Sequence, residues 1–326
     1  MNSLNGDSDK RRSNRLRAIF LGTAILGVIF CIVGIILLCN YTWYDGYEIV
    51  HDYTNCTALP GPSPDEELCK DKIKKPGDEC ACYIPISITK PMKAPVTVLY
   101  ELESYEKMIS TYSQSRDDDQ LAGHLKSQPS DSCGSYTYAD TATGKKPIAP
   151  CGLLADAMFN DTFSLVSNNK FVLNLRYGLL SEDDKKPFRN PPSNLSQAFK
   201  DFSKPKNWQH PVWELDTKNP DNNGFQNEAF IIWMKTDLKR KPAWQVNHTG
   251  IYEHGVPAAN YTIRVTYAYP TSRYDGIRRV IISSVHTMYD NVKYGFGVAL
   301  VVFGVLFLIL AGLILIKYRS TIIWRR

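Results

Sequence analysis

AIFLGTAILGVIFCIVGIILLC, Ala18 to Cys39, and FGVALVVFGVLFLILAGLILI, Phe296 to Ile316, are the stretches on which the fold turns. They run for 22 and 21 residues without a charged side chain. A helix rises about 1.5 Å per residue, so each is long enough to cross a hydrocarbon core roughly 30 Å thick. In lipid only a helix or a closed barrel satisfies its own backbone, so these stretches read as helices. The chain divides accordingly: a tail over 1–17, a span over 18–39, a large domain over 40–295, a span over 296–316 and a tail over 317–326.

The flanks set the orientation. Lys10, Arg11, Arg12, Arg15 and Arg17 precede the first span, and Lys317, Arg319, Arg325 and Arg326 follow the second. Cationic flanks favour the cytosol, so both tails are expected there and the large domain on the luminal or extracellular side. Tyr41, Trp43, Tyr44, Tyr47, Tyr289 and Tyr294 suit the opposite headgroup layer. The tails carry +3 and +4 of the net +5, which leaves −2 for everything else. The large domain thus lacks the charge of a nucleic-acid binder, and no nucleic-acid partner is expected. A cleaved signal peptide is the competing reading of the first span. Its length and the absence of an A-x-A-like site after it weigh against that.

Cys56, Cys69, Cys80, Cys82, Cys133 and Cys151 lie in the large domain, where an oxidising compartment implies three disulfides with 15 possible connectivities. Cys80 and Cys82 are expected on opposite sides of their segment, each with its own partner. Cys56 and Cys69 are the nearest candidates, and Cys133 with Cys151 would close an 18-residue interval. Zinc is the alternative, but C-x-C without a nearby histidine pair is poor zinc spacing. Six N-x-S/T triplets all fall between the spans, and Asn160, Asn194, Asn247 and Asn260 are the better glycosylation candidates.

About 255 residues between the spans can bury one core. Alternation at Ile84, Ile86 and Ile88, at Val96, Val98 and Tyr100, and at Tyr261, Ile263, Val265 and Tyr267 predicts strands. Phe230–Met234 and Arg279–Val285 are further strand candidates, and Leu102–Tyr112 and Leu195–Phe202 are short helix candidates. The fold class expected is two transmembrane helices plus a β-rich domain, an antiparallel β-sandwich with short helices.

No P-loop, H-E-x-x-H or G-x-S-x-G is present, so no catalytic, metal or cofactor-binding residue is assigned. Asp117–Asp119 read as a solvated turn. Asn219–Gly224 copies the first half of an EF-hand loop, but Phe230 stands at the twelfth position where a glutamate is required. That segment reads as a turn as well. Gly27 and Gly34 in the first span, and Gly297, Gly304 and Ala311 in the second, recur every seven residues and offer a face for helix packing.

Longer matches follow in order along the chain: Tyr112-Ser-Gln-Ser-Arg-Asp-Asp-Asp-Gln-Leu121, Lys146-Pro-Ile-Ala-Pro-Cys-Gly152, Met158-Phe-Asn-Asp-Thr162, Phe188-Arg-Asn-Pro-Pro192, Asn207-Trp208, Pro220-Asp-Asn-Asn-Gly-Phe225 with Asn227-Glu228, Ile232-Trp-Met234 and Tyr274-Asp-Gly276. In these the sequence resembles the Cdc-fifty, or ligand-effect modulator, family, the accessory subunits of type-IV P-type ATPases. The resemblance implies bonds Cys56–Cys82, Cys69–Cys80 and Cys133–Cys151, and a glycan on Asn160. It implies a non-catalytic partner of a ten-span phospholipid flippase, needed for that pump's folding, exit from the endoplasmic reticulum and transport cycle. ATP and magnesium would bind the partner, and the complex would travel to the Golgi, endosomes and plasma membrane. A subunit of a two-span ligand-gated channel and a membrane-tethered luminal enzyme are the alternatives.

Overall fold

The computed structural model describes residues 2–42, 47–58, 67–105, 112–142, 144–284 and 289–323. They form two compact units, one made of the terminal helices and one of residues 47–284.

The helical unit holds Asn2–Thr42 and Tyr289–Ile323, packed against each other. Their apolar stretches, Asn14–Cys39 and Gly295–Lys317, are long enough to cross a membrane, and the chain is an integral membrane protein by those two spans. Most large side chains of both spans are exposed, Ile25, Ile36, Phe303 and Ile316 among them. Exposure is what lipid-facing positions require. Phe30 and Phe307 meet edge to face, their ring centres 5.8 Å apart.

The second unit is β-rich. Its described strands, in chain order, are β1 (Glu48–Asp52), β2 (Cys80–Ile88), β3 (Met92–Lys93), β4 (Thr97–Leu102), β5 (Tyr138–Thr141), β6 (Gly144–Pro147), β7 (Thr162–Ser167), β8 (Lys170–Phe171), β9 (Asn174–Leu175), β10 (Arg240–Val246), β11 (Gly255–Val256), β12 (Ala259–Tyr267) and β13 (Arg278–Ser283). One sheet runs β1-β13-β4-β10-β9 and another β2-β12-β7-β8, with β3-β11 and β5-β6 as small pairs, all antiparallel. The two larger sheets share a core. Tyr100 of β4 stacks on Phe163 of β7, and the Trp244 indole N–H of β10 donates to the Phe163 carbonyl at 2.9 Å. The fold is therefore the antiparallel sandwich with short helices that the patterning predicts.

β12 repays its alternation most directly: Tyr261, Ile263, Val265 and Tyr267 are buried and Thr262, Arg264 and Thr266 half-buried between two neighbouring strands. Other expectations need correction. Phe230–Met234 lies in a helix, Glu228–Met234, not a strand. Asn227 caps it by accepting the Phe230 N–H, and its last five residues are all buried. A run with no polar interruption gives no period to read, so the cap decides. Leu195–Phe202 keeps only one helical turn, Leu195–Ala198, and Leu102 closes β4, while 106–111 of that helix candidate lie outside the described residues. Finally, Cys80 and Cys82 share the buried face of β2, because residues two apart on a strand point the same way.

The disulfides join Cys56 to Cys82, Cys69 to Cys80 and Cys133 to Cys151. The first two nest and tie the segment before β2 onto that strand. The third sits in a small cluster of its own with Ile148. Opening an 18-residue loop of this kind costs about 2–4 kcal/mol. Cys133→Ser is therefore expected to lower the melting temperature of the purified full chain by several degrees, and an unchanged melting curve would show that the bond stabilises nothing.

Candidate functional site

The candidate helix-packing residues come together. Gly27, Gly34, Gly297, Gly304 and Ala311 are the buried positions among the described residues of the two spans. They face each other across the antiparallel pair, Gly27 opposite Gly304 and Gly34 opposite Gly297. A Cβ added to Gly27 would stand 3.0 Å from the Gly304 carbonyl oxygen, and one added to Gly34 2.9 Å from that of Gly297. Small residues thus let the backbones touch, which is how helices associate where lipid removes the hydrophobic drive. The faces expected to dock another helix are taken up inside this chain.

In the β-rich unit the buried polar groups form a framework. Arg278 is fully buried at the start of β13 and pairs with Asp161 at 3.0 Å. Asp161 also accepts the Tyr53 hydroxyl at 3.0 Å and the backbone N–H groups of Ala268 and Tyr269 at 2.7 Å each. Arg278 donates to the carbonyls of Tyr269 and Tyr274 and lies 4.3 Å from the Tyr267 ring centre. Burial pushes the Asp161 carboxyl up, while Arg278 and the amides pull it back. A second knot joins Asp156 to Arg273 and Asn207, and a third holds Glu228 between Lys185 and the N–H groups of Gly178 and Leu179. Lys241 donates to the carbonyls of Ile232, Trp233 and Lys235 at the end of the Glu228–Met234 helix, and burial lowers its pKa to about 7.

The acidic run is spent the same way. Asp117 is buried, not solvated, and caps the turn Asp118–Leu121 by accepting the Gln120 N–H. Asp118 pairs with Arg116 and Asp119 with Lys126. In the EF-hand-like segment Asp216 accepts the Asn219 N–H and the Asn222 amide, and Asn222 accepts the Glu228 N–H. Gly224 takes φ +69°, so this is a turn whose oxygens bond its own backbone. The sulfurs of Cys56, Cys69 and Cys82 lie within 4.8 Å of one another, but each is held in a disulfide and none is a thiolate for zinc.

Two adjoining hollows of about 770 and 230 Å³ share Met158, Phe159, Asn160 and Leu215. The larger is walled by Asp216, Asn222 and Asn227, whose polar atoms already serve the turn. Among the described residues these hollows bring no nucleophile against a base. Asn160, Asn194 and Asn260 are exposed, whereas Asn247 is half-buried, its N–H donated to Leu173. Asn194 also caps a turn by accepting from Ser196. Sequence reading missed Arg278, which adjoins Arg279 and looks like one of a solvated pair; its neighbour pairs with buried Glu101 and with half-buried Glu103.

These features define a class: a two-span membrane protein with a disulfide-bonded β-rich domain between its spans. The comparisons are specific. The family described as LEM3 (ligand-effect modulator 3) / CDC50 matches residues 39–321. The chain is 32% identical to mouse (Mus musculus) cell cycle control protein 50A, covering 91% of this chain and 83% of that one. It is 32% identical to cell cycle control protein 50C of Macaca fascicularis, over 84% and 78%. ALA-interacting subunit 3 of Arabidopsis thaliana is 28% identical, over 90% and 78%. The chain belongs to the CDC50 family, a family of non-catalytic accessory subunits.

Two stability outcomes follow. Gly34→Leu is expected to force the spans apart and cost about 1–3 kcal/mol, whereas Gly22→Leu, where an added Cβ meets nothing within 4 Å, costs little. Equal melting temperatures for the two variants would remove the seam. Arg278→Met leaves Asp161 buried without its cation and is expected to cost about 3–5 kcal/mol. Pairing it with Asp161→Leu should recover part of that loss in a double-mutant cycle, and strict additivity would mean the pair is not coupled.

Proposed function

We propose that this chain is the accessory subunit of a type-IV P-type ATPase that moves phospholipid from the outer or luminal leaflet to the cytosolic one. The family match over residues 39–321 carries the reading, and a relative named for interaction as a subunit supports it. The chemistry agrees. Ala18–Cys39 and Phe296–Ile316 hold no charged residue with which to line an ion path, so on this reading transport and ATP hydrolysis fall to the partner, which would hold the nucleotide and magnesium. The subunit's part is to bind: it stabilises the pump during folding, accompanies it out of the endoplasmic reticulum and supports its cycle. Both tails are cytosolic and the β-rich unit is luminal or extracellular, in the Golgi, endosomes and plasma membrane. Asn160, Asn194 and Asn260 are the exposed glycan acceptors, and half-buried Asn247 is the poorest of the four.

Affinity purification of the tagged chain from its native membranes is expected to bring down a P-type ATPase whose lipid-stimulated activity falls when the chain is depleted. Recovery of nothing but further copies of the chain would overturn the reading. Protease added to sealed vesicles should cut both tails from one side only.

A further inference from the structure

The hollow of about 230 Å³ lies wholly within the β-rich unit, where three stretches far apart in sequence meet. Pro76 and Glu79 come from the turn before Cys80, Trp208 and Gln209 from the loop after Asn207, and Pro270 and Arg273 from the loop after β12. A Cβ added to Gly77 would stand 3.8 Å from Gln209 Nε2, so the first two stretches lie within contact distance. The hollow falls below the roughly 300–1,000 Å³ of a pocket that encloses a drug-sized ligand, so it suits something smaller.

Its walls are chemically divided. The Trp208 indole N–H is donated to the Ala155 carbonyl at 2.8 Å, so Trp208 has only carbon left to offer the hollow. Pro76 and Pro270 add aliphatic rings with no N–H. Around them stand exposed Glu79 and Gln209, and the guanidinium of Arg273, which spends two donors on Asp156 and keeps others. A sugar ring fits such a place. Its C–H face lies on aromatic or proline surface, and its hydroxyls reach the polar groups around it.

Asn160 lines the same hollow, is exposed, and heads Asn160-Asp161-Thr162, an N-x-T triplet. Both of its neighbours are fixed. Phe159 stacks on Tyr100 with ring centres 4.6 Å apart, and Asp161 takes the N–H groups of Ala268 and Tyr269, next to Pro270. A glycan on this asparagine therefore starts at the wall, from backbone with little freedom. A tethered ligand meets its site at an effective concentration in the millimolar range, so a site too weak to retain a free sugar is filled by an attached one. Asn194, Asn247 and Asn260 line neither hollow.

We propose that this hollow seats the glycan of Asn160. Its inner N-acetylglucosamine residues lie on Trp208, Pro76 and Pro270, with hydroxyl and acetamide groups on Glu79, Gln209 and Arg273. The proposal rests on Asn160 carrying a glycan and goes further by making that glycan a packed part of the fold. It ties the disulfide-bonded segment before β2 to the loops at 207–210 and 268–273.

The test uses the purified full chain with high-mannose glycans, and glycopeptide mass spectrometry reads the occupancy of Asn160. Peptide N-glycosidase, which cuts at the asparagine, is applied to the folded chain. The reference is a glycan introduced at the exposed Asn168–Asn169 turn by Lys170→Thr, which completes an N-x-T triplet outside both hollows. The Asn160 glycan is expected to leave roughly tenfold more slowly or slower still, since cutting waits for it to lift away, and the difference should vanish on denaturation. Hydrogen exchange at 76–79 and 207–210 should be slower in the glycosylated chain than in the Asn160→Gln and Thr162→Ala chains, which lose the triplet by different residues. Trimming with endoglycosidase H, which leaves a single N-acetylglucosamine, should keep part of that protection. An occupied Asn160 whose glycan leaves as fast as the reference overturns the packing while the acceptor reading stands. A bare Asn160 overturns both. Protection that comes only with a co-purified ATPase, glycan or no glycan, assigns the hollow to a partner polypeptide and also overturns the proposal.

Discussion

A guanidinium with no access to water must find its counter-charge inside the protein, and the β-rich unit is organised around that requirement. Arg278 opens β13, Asp161 precedes β7, Tyr53 follows β1, and Tyr267, Tyr269 and Tyr274 close over the pair. Both sheets and the loop between β12 and β13 therefore converge on one ion pair. Such a pair is a poor source of net stability, since desolvation offsets much of its attraction. What it does is penalise alternatives: any shift of β13 against β7 leaves a charge stranded in the core. The Tyr269 and Tyr274 carbonyls take two of the guanidinium donors, while the Arg278 Nε–H is buried without a hydrogen-bond partner among the described residues; burial raises the Tyr53 and Tyr269 pKa and keeps those hydroxyls protonated.

The segments that carry the family resemblance prove to be struts of this framework. Gln120, from the Tyr112–Leu121 stretch, accepts the Cys151 N–H and donates to the Ile148 carbonyl, joining two of those segments. Asn190 of Phe188–Pro192 accepts the Phe225 N–H and donates to the Asn223 carbonyl, joining two more. Gly152 takes φ +103°, where an added Cβ would lie 2.0 Å from the Ser115 carbonyl oxygen, so the Pro-Cys-Gly segment is backbone packing made visible in sequence. None of these residues needs a ligand to explain it. Gln120, Asn190 and Gly152 thus specify shape from within, while Asp118, Asn160 and Asp221 of the same segments are exposed.

Legibility followed periodicity. The spans and β12 were plain because a uniform apolar run and a strict two-residue repeat each have one structural solution. The seven-residue spacing of the small residues marked the packing face, yet it did not say whose helix would fill it; that depends on the fold of the whole chain. Phe230–Met234 defeated the reading because a segment buried on every side shows no amphipathic period. Arg278 was hidden beside Arg279, since alternation along β13 sends one arginine into the core and the other, partly exposed, to Glu101 and Glu103.

The pairing of Gly27 with Gly304 and of Gly34 with Gly297 has a consequence for recognition within the membrane. With the seam glycines packed on each other, the outward side chains of the two helices are mainly isoleucine, leucine, valine and phenylalanine, with Gly22 exposed among them. Such flanks are greasy and adaptable, and they distinguish poorly between one neighbour and the next. The intramembrane ribbon would tolerate exchange of one aliphatic residue for another along its outer sides, while its inner seam would not.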